Sequence, residues 1–155
     1  MNATLYPAER GAALALRRLI EENLYWVMVY DRWDVDENWQ RFRDVVLGAV
    51  PALVRPLVAL VARRGVRGQL KGHGIGLHSR DEIHAIGRRD VGAIADFLGD
   101  KPFLMGDRPT EIDAVAYGQL PNIMCVPIDT PVKDEALRRP NLVAYVDRMK
   151  ARFFS

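Results

Sequence analysis

Apolar residues recur every three to four positions along most of the chain, which is the period of one face of an α-helix. The first such pattern begins at Pro7, a residue type that suits the first turn of a helix, and runs to about Trp33. Its far end is apolar nearly all round, which predicts burial on more than one side. A second pattern follows Asp36, which can cap a helix, and ends at about Gly48.

Proline and glycine divide the middle of the chain. Pro51 and Pro56 bracket the start of a third helical stretch that reaches about Arg64, and Gly65 is expected to interrupt it. The glycine-rich segment 67–78 then predicts a flexible turn between two helices. A phosphate-binding loop is a poorer interpretation, because the segment follows a helix and lacks the Gly-Lys-Ser/Thr ending.

Helix boundaries are clearest in the second half. Ser79 and Glu82 have the spacing of a capping box, and the helix that they open ends at Gly99. Another helix opens at Thr110, the stretch with prolines at 127 and 131 is expected to be irregular, and a last helix starts at Pro140. With no strand pattern in view, these segments predict one all-α domain of about six helices over residues 1–155.

Charge and composition exclude several classes of protein. The 22 basic and 20 acidic residues leave a net charge of +2, which gives no argument for a nucleic-acid partner or an anionic membrane. The most apolar stretch, 45–62, is interrupted by prolines and an arginine, so we expect no membrane span. One cysteine allows no internal disulfide, and no targeting signal precedes Tyr6, so we expect a cytoplasmic protein.

The segment 98–113, LGDKPFLMGDRPTEID, is the most informative of the chain. The Thr110 side chain can accept a hydrogen bond from the backbone N–H of Asp113, and the Asp113 carboxylate can accept one from the backbone N–H of Thr110. A helix that starts in the interior has no water to satisfy its first N–H groups, so this reciprocal cap is expected to be structural rather than catalytic.

This loop and cap resemble the signature of the helical C-terminal domain of glutathione S-transferases. The segments 22–26, ENLYW, and 72–79, GHGIGLHS, are similar to the branch of that family related to metaxins and failed axon connections. The resemblance extends from about Pro7 to the end and implies a bundle of the glutathione S-transferase C-terminal type. Family members carry a thioredoxin-like domain before this region, with the catalytic residue and a cis-proline. We therefore expect a fragment or a shortened gene product to which no catalytic residue can be assigned.

Tyr25, Trp26, Tyr30 and Trp33 are the candidate substrate-binding residues. The resemblance implies that their helix lines the pocket for the electrophilic substrate and often the dimer interface, and aromatic walls suit apolar substrates. Ordinary core packing is the competing interpretation. The same aromatic end is our candidate for part of the face that packs on the thioredoxin-like domain.

Several other side chains are of types that bind metals, react as thiols or pair with anions, but their positions in the sequence favour structural roles. His73, His78 and His84 are separated by five and six residues, which is not the spacing of a helical or finger-type metal site, so no metal is expected. Cys125 follows a helix expected to be buried, and an inert thiol is predicted. Arg17, Arg18 and Arg32 could pair with a glutathione carboxylate or a partner domain, or lie in solvated ion pairs.

Two functions remain open at this point. In the first, the chain is the C-terminal half of a glutathione-dependent transferase, supplies the hydrophobic substrate wall and the interdomain or dimer contacts, and is inactive alone. Glutathione would then be used by the intact protein, with the thioredoxin-like domain and a second copy as partners. In the second, the chain is a non-enzymatic, metaxin-like interaction or dimerisation module. Fold alone does not decide between them.

Overall fold

A computed structural model describes residues 5–154, and every structural statement below refers to them. Helix α1 (Pro7–Arg18) continues through a π-helical segment (Leu19–Leu24) into α2 (Tyr25–Trp33). This continuous helix is followed by α3 (Asp36–Val46), α4 (Arg55–His73), a short 3₁₀ turn (Ile75–Leu77), α5 (Arg80–Leu98), α6 (Glu111–Met124), α7 (Pro131–Leu137) and α8 (Pro140–Phe153). Within this part of the chain no β-strand forms, so the prediction of an all-α domain is confirmed.

Two boundaries differ from the sequence prediction. Helix α4 does not stop at Gly65 but continues to His73, where Gly74 adopts a left-handed conformation with φ of 104°. A glycine inside a helix costs only about 1 kcal/mol, and the burial of Leu70 favours continuing the helix. The stretch around position 131 is also not irregular, because the Thr130 side chain caps α7 by accepting from the N–H of Lys133.

The helices pack around one main core. Helix α6 lies against α1, the π-helical segment, α7 and α8, and α5 packs on α2, α7 and the π-helical segment. A smaller cluster, formed by Trp39, Leu47 and Ala59, lies under the corner between α3 and α4. Among the described residues, no helix is both long enough and apolar enough to cross a membrane.

Candidate functional site

The start of α6 is built around one buried carboxylate. Asp113 is fully buried, and its Oδ2 accepts from the backbone N–H of Thr110 at 2.7 Å and from the Thr110 hydroxyl at 3.0 Å. Its Oδ1 accepts from the backbone N–H of Leu104 at 2.8 Å and from the hydroxyl of Tyr145 at 3.1 Å. Burial and the charge of Asp113 together raise the pKa of Tyr145, so its hydroxyl stays protonated and donates. The carboxylate thus joins the preceding loop, α6 and α8.

Helix α6 is covered on most sides, but one face is open. Ala114 and Gly118 lie one turn apart on this face and are exposed, whereas Ala116 and Leu120 are fully buried. No heavy atom lies within 4 Å of the position that a Cβ would take at Gly118. A larger group can therefore approach the backbone of α6 at this point.

A groove of about 310 Å³ runs along one side of this face. We call it the Tyr25 groove; it is lined by Ile20, Glu21, Tyr25, Ala114, Val115, Gly118 and Gln119. Glu21 is held at its rim by Arg17, whose Nε donates to Oε2 at 2.8 Å. The amide of Gln119 donates to the sulfur of Met28 at 3.3 Å, which fixes this polar group at the inner side of the groove.

A second groove of about 320 Å³ lies on the other side of the open face. We call it the Phe153 groove; it is lined by Pro109, Thr110, Ala114, Tyr117, Gly118, Met149, Phe153 and Phe154. The rings of Tyr117 and Phe154 stack with their centroids 5.0 Å apart, so the end of the last helix closes over α6. Sequence reasoning missed these residues, because only the packing of α8 on α6 brings positions 117 and 153 together.

Of the four candidate aromatic residues, Tyr25 lies beside α6 and Trp26 packs against α4. Tyr25 is 41% exposed and lines its groove beside α6. Trp26 is only partly exposed, and its indole stacks on the imidazole of His73 in α4 at a centroid distance of 4.7 Å. The two rings nevertheless meet edge to face, with their centroids 5.4 Å apart, so Trp26 lies between Tyr25 and α4.

The other two candidates also pack within the domain. Tyr30 contacts His84 edge to face at 6.4 Å, and Trp33 stacks on Trp39 at 4.9 Å. Both are partly buried against the core. The structure therefore does not bring the four aromatic rings to one surface: Tyr25 lies beside the open face of α6, and Trp26, Tyr30 and Trp33 contact α3, α4 and α5.

The three candidate arginines have partners within the chain. Arg17 pairs with Glu21 and with Glu111 of α6, and Arg18 pairs with Glu22. Arg32 donates to the backbone carbonyl of Asn122 at 2.6 Å, and its burial lowers the pKa of the guanidinium. These contacts fit the interpretation as structural ion pairs and hydrogen bonds.

Two polar pairs inside the bundle were not predicted. His84 Nε2 lies 2.8 Å from Asp31 Oδ1, with both side chains buried between α2 and α5. The amide of Asn23, in the π-helical segment, donates to Asp90 of α5 at 2.7 Å. Burial raises the pKa of Asp90 to about 6, although the bond from Asn23 and the charge of Arg89 act in the opposite direction.

The histidines and the cysteine lie in unrelated places. His73 stacks on Trp26, His84 pairs with Asp31, and within residues 5–154 no group of three or more potential ligands could hold a metal ion. Cys125 is exposed, so the prediction of a buried thiol is wrong. The reason is that Cys125 is the residue at which α6 ends, and the chain leaves the core there.

Comparison with known proteins places this architecture in a family. Residues 87–149 match the glutathione S-transferase C-terminal domain. The chain is 32% identical over 155 residues to isoprene-epoxide–glutathione S-transferase of Rhodococcus sp. (strain AD45), covering 99% of this chain and 65% of that relative. It is 31% identical to failed axon connections of Drosophila melanogaster, covering 99% of this chain and 40% of the relative. No solved structure shows a significant match.

These matches confirm the resemblance, including its branch: the chain contains the C-terminal helical domain of the glutathione S-transferase family. It spans about two thirds of the length of the first relative and two fifths of the second.

Proposed function

We propose that the chain is the C-terminal domain of a glutathione S-transferase-like protein and supplies the hydrophobic wall of its substrate site. The observation that supports this proposal is the open Ala114–Gly118 face between two grooves lined mostly by apolar side chains. Sites for small apolar molecules are concave and largely apolar, with few polar groups. Tyr25 is the one member of the sequence-predicted wall that we retain for substrate contact, and the wall also includes Tyr117 and Phe153.

The residues that line the two grooves favour an apolar substrate over glutathione as the ligand of this domain. Glutathione is a peptide with two carboxylates, whereas neither groove is lined by a lysine or arginine that could pair with them. The grooves therefore suit the apolar, electrophilic substrate better than glutathione itself. A thioredoxin-like domain of the same protein would bind glutathione and activate its thiol, and the present domain would be inactive without it.

We propose a cytoplasmic protein that forms a homodimer, with neither nucleic acid nor a membrane as its partner. The free, exposed thiol of Cys125 suits a reducing compartment, and the net charge of +2 gives no general attraction to polyanions.

A second candidate function is a non-enzymatic interaction module, as in the alternative drawn from the sequence. A large exposed aliphatic surface at the corner between α3 and α4, away from the two grooves, favours it. The two candidates differ in one property, since only the first requires a small apolar ligand to bind along α6.

The test is a titration of the ¹⁵N-labelled chain with S-hexylglutathione, which joins glutathione to an apolar tail. The proposal expects chemical-shift changes centred on Ala114, Tyr117 and Gly118. Gly118→Leu fills the space beside α6 and should abolish them. Gly68→Leu is the matched control, because Gly68 is also an exposed helical glycine with open space around it. Equal binding by both variants, or no shifts near α6, would overturn the proposal.

A further inference from the structure

The Tyr25 groove is one part of a longer cleft between the continuous first helix and α6. At one end of this cleft, Arg17 Nη1 donates to Glu111 Oε1 at 2.7 Å. At the other end, Arg32 Nη2 donates to the carbonyl of Asn122 at 2.6 Å. Residue numbers increase in the same direction on both helices, so the two helices run in the same direction along the cleft.

Met28 lies across this cleft, between its two ends. Its sulfur accepts from the amide of Gln119 at 3.3 Å, and Gln119 also lines the Tyr25 groove. Beyond this contact the cleft continues as a small cavity, which we call the Arg32 cavity; its lining includes Met28, Arg32, Asn122 and Ile123. The contact between Met28 and Gln119 therefore separates the groove from the Arg32 cavity.

The groove and the cavity differ strongly in size. The groove has a volume of about 310 Å³, whereas the Arg32 cavity has about 20 Å³ and holds little more than one water-sized group. From Glu21 to Met28 the first helix rises by about 10 Å, which is about the length of an extended octyl chain. A longer chain in the groove must therefore displace Met28 or leave its end in solvent.

The surroundings of Met28 oppose such a displacement. Gln119 is mostly buried, so moving the sulfur away would take an acceptor from an amide group that water does not readily reach. The side chain of Met28 is itself partly buried against the main core. Methionine is otherwise flexible and adapts to the space around it, so these contacts are what make it a barrier.

We infer that Met28 limits the length of the ligands that the chain accepts, because it ends the Tyr25 groove and keeps chains longer than about eight carbon atoms out of the Arg32 cavity. This inference rests on the proposed function, since it concerns the same groove, and it adds the length of the apolar chain as a determinant of specificity. Replacing Met28 with alanine removes the side chain beyond Cβ and should join the groove to the Arg32 cavity.

Calorimetric titration with S-hexyl-, S-octyl- and S-decylglutathione tests this limit. Each further CH₂ group that becomes buried should tighten binding about fourfold. For the wild type, affinity should rise from hexyl to octyl and then change by less than about twofold from octyl to decyl, because the added groups stay in solvent. For Met28→Ala, the decyl ligand should bind roughly 10- to 20-fold more tightly than the octyl ligand.

Two variants separate the barrier from a general effect of losing a methionine. Met28→Leu should keep the wild-type limit, because leucine and methionine have similar volumes. Met105→Ala is the matched control, since Met105 is also partly buried against the core but lines neither the grooves nor the Arg32 cavity. Circular dichroism should show equal helicity for all four proteins.

A further measurement uses the wild type alone and does not depend on how a variant folds. In its complex with S-octylglutathione, the terminal methyl protons of the ligand should give NOEs to the methyl group of Met28. NOEs from this terminal methyl to Phe153 in place of Met28 would overturn the inference, because the chain would then lie in the Phe153 groove.

The titrations also distinguish this inference from the proposed function. If the three ligands bind along α6 but Met28→Ala shows the same length limit as the wild type, the inference fails and the proposed function stands. If none of them binds along α6 in the wild type or in Met105→Ala, the proposed function fails and the inference fails with it.

Discussion

Replacing Asp113 with alanine tests how strongly the start of α6 depends on one carboxylate. The substitution removes the acceptor for two buried backbone N–H groups, those of Leu104 and Thr110. Each buried donor left without a partner costs about 1–3 kcal/mol. The Tyr145 hydroxyl keeps a second acceptor, the carbonyl of Asp113 at 3.2 Å, so it adds little. The expected loss is therefore about 2–6 kcal/mol, a large share of the 5–15 kcal/mol that stabilises a typical domain.

Urea unfolding followed by circular dichroism measures this loss. With an m-value of about 2 kcal/mol/M, the midpoint should fall by about 1–3 M. Asp134→Ala is the matched control: Asp134 is also an acid in the first turn of a helix, but it is exposed, so its loss should cost only about 0.3–1 kcal/mol. Asp113→Asn keeps the shape and one acceptor oxygen and should fall between the two. If Asp113→Ala is no more destabilising than Asp134→Ala, the reasoning about the buried cap is refuted.

Two further substitutions test the interior. Because burial raises the pKa of Asp90 to about 6, its contribution to stability is fully present below about pH 4 and is lost as the pH rises through 6. Asp90→Asn should therefore be more stable than wild type by about 1–3 kcal/mol at pH 7.5, with the gain shrinking toward pH 4; a gain independent of pH in urea titrations would contradict this. Gly87→Ala places a Cβ 2.8 Å from side-chain atoms of Val27 and Val132 and should cost about 1–3 kcal/mol. Gly72→Ala, at an exposed helical position with open space, should instead add about 0.5–1 kcal/mol, and urea titrations measure both glycine variants.

Features that depend on neighbouring residues were predictable from the sequence. The capping box of Ser79 and Glu82 correctly located the start of α5, and Gly99 its end. In the same way, Thr110 is the residue that precedes α6. These signals are local, because the side chain and the backbone group that it satisfies are three residues apart.

Features that depend on packing were not predictable. Gly65 is a weak helix breaker whose effect is outweighed by burial of the later turns of α4. The π-helical segment shifts the register between α1 and α2, so a simple count from Pro7 does not give the direction of Tyr25. The two grooves arise where helices distant in sequence meet, and no spacing within one helix indicates that Tyr117 and Phe153 share a wall.

The small net charge does not show how unevenly acidic residues are distributed along the chain. The chain is close to neutral overall, yet no aspartate or glutamate occurs between Asp44 and Asp81. This stretch contains helix α4 and eight exposed apolar residues: Val45, Val46, Leu53, Val54, Leu57, Val58, Leu60 and Val61. Apolar residues outside the core are common on any protein, so only the coordinates show that these eight are exposed together.

The central claim is that the open face of α6, rather than the exposed apolar surface of α4 around Leu57 and Leu60, receives an apolar ligand. Intermolecular NOEs from the hexyl protons of S-hexylglutathione to the bound chain test it most directly, since both surfaces are apolar and the ligand must choose between them. The account predicts NOEs to the methyl group of Ala114 and to the rings of Tyr117 and Phe153. NOEs to Leu57 and Leu60 in place of these would contradict it.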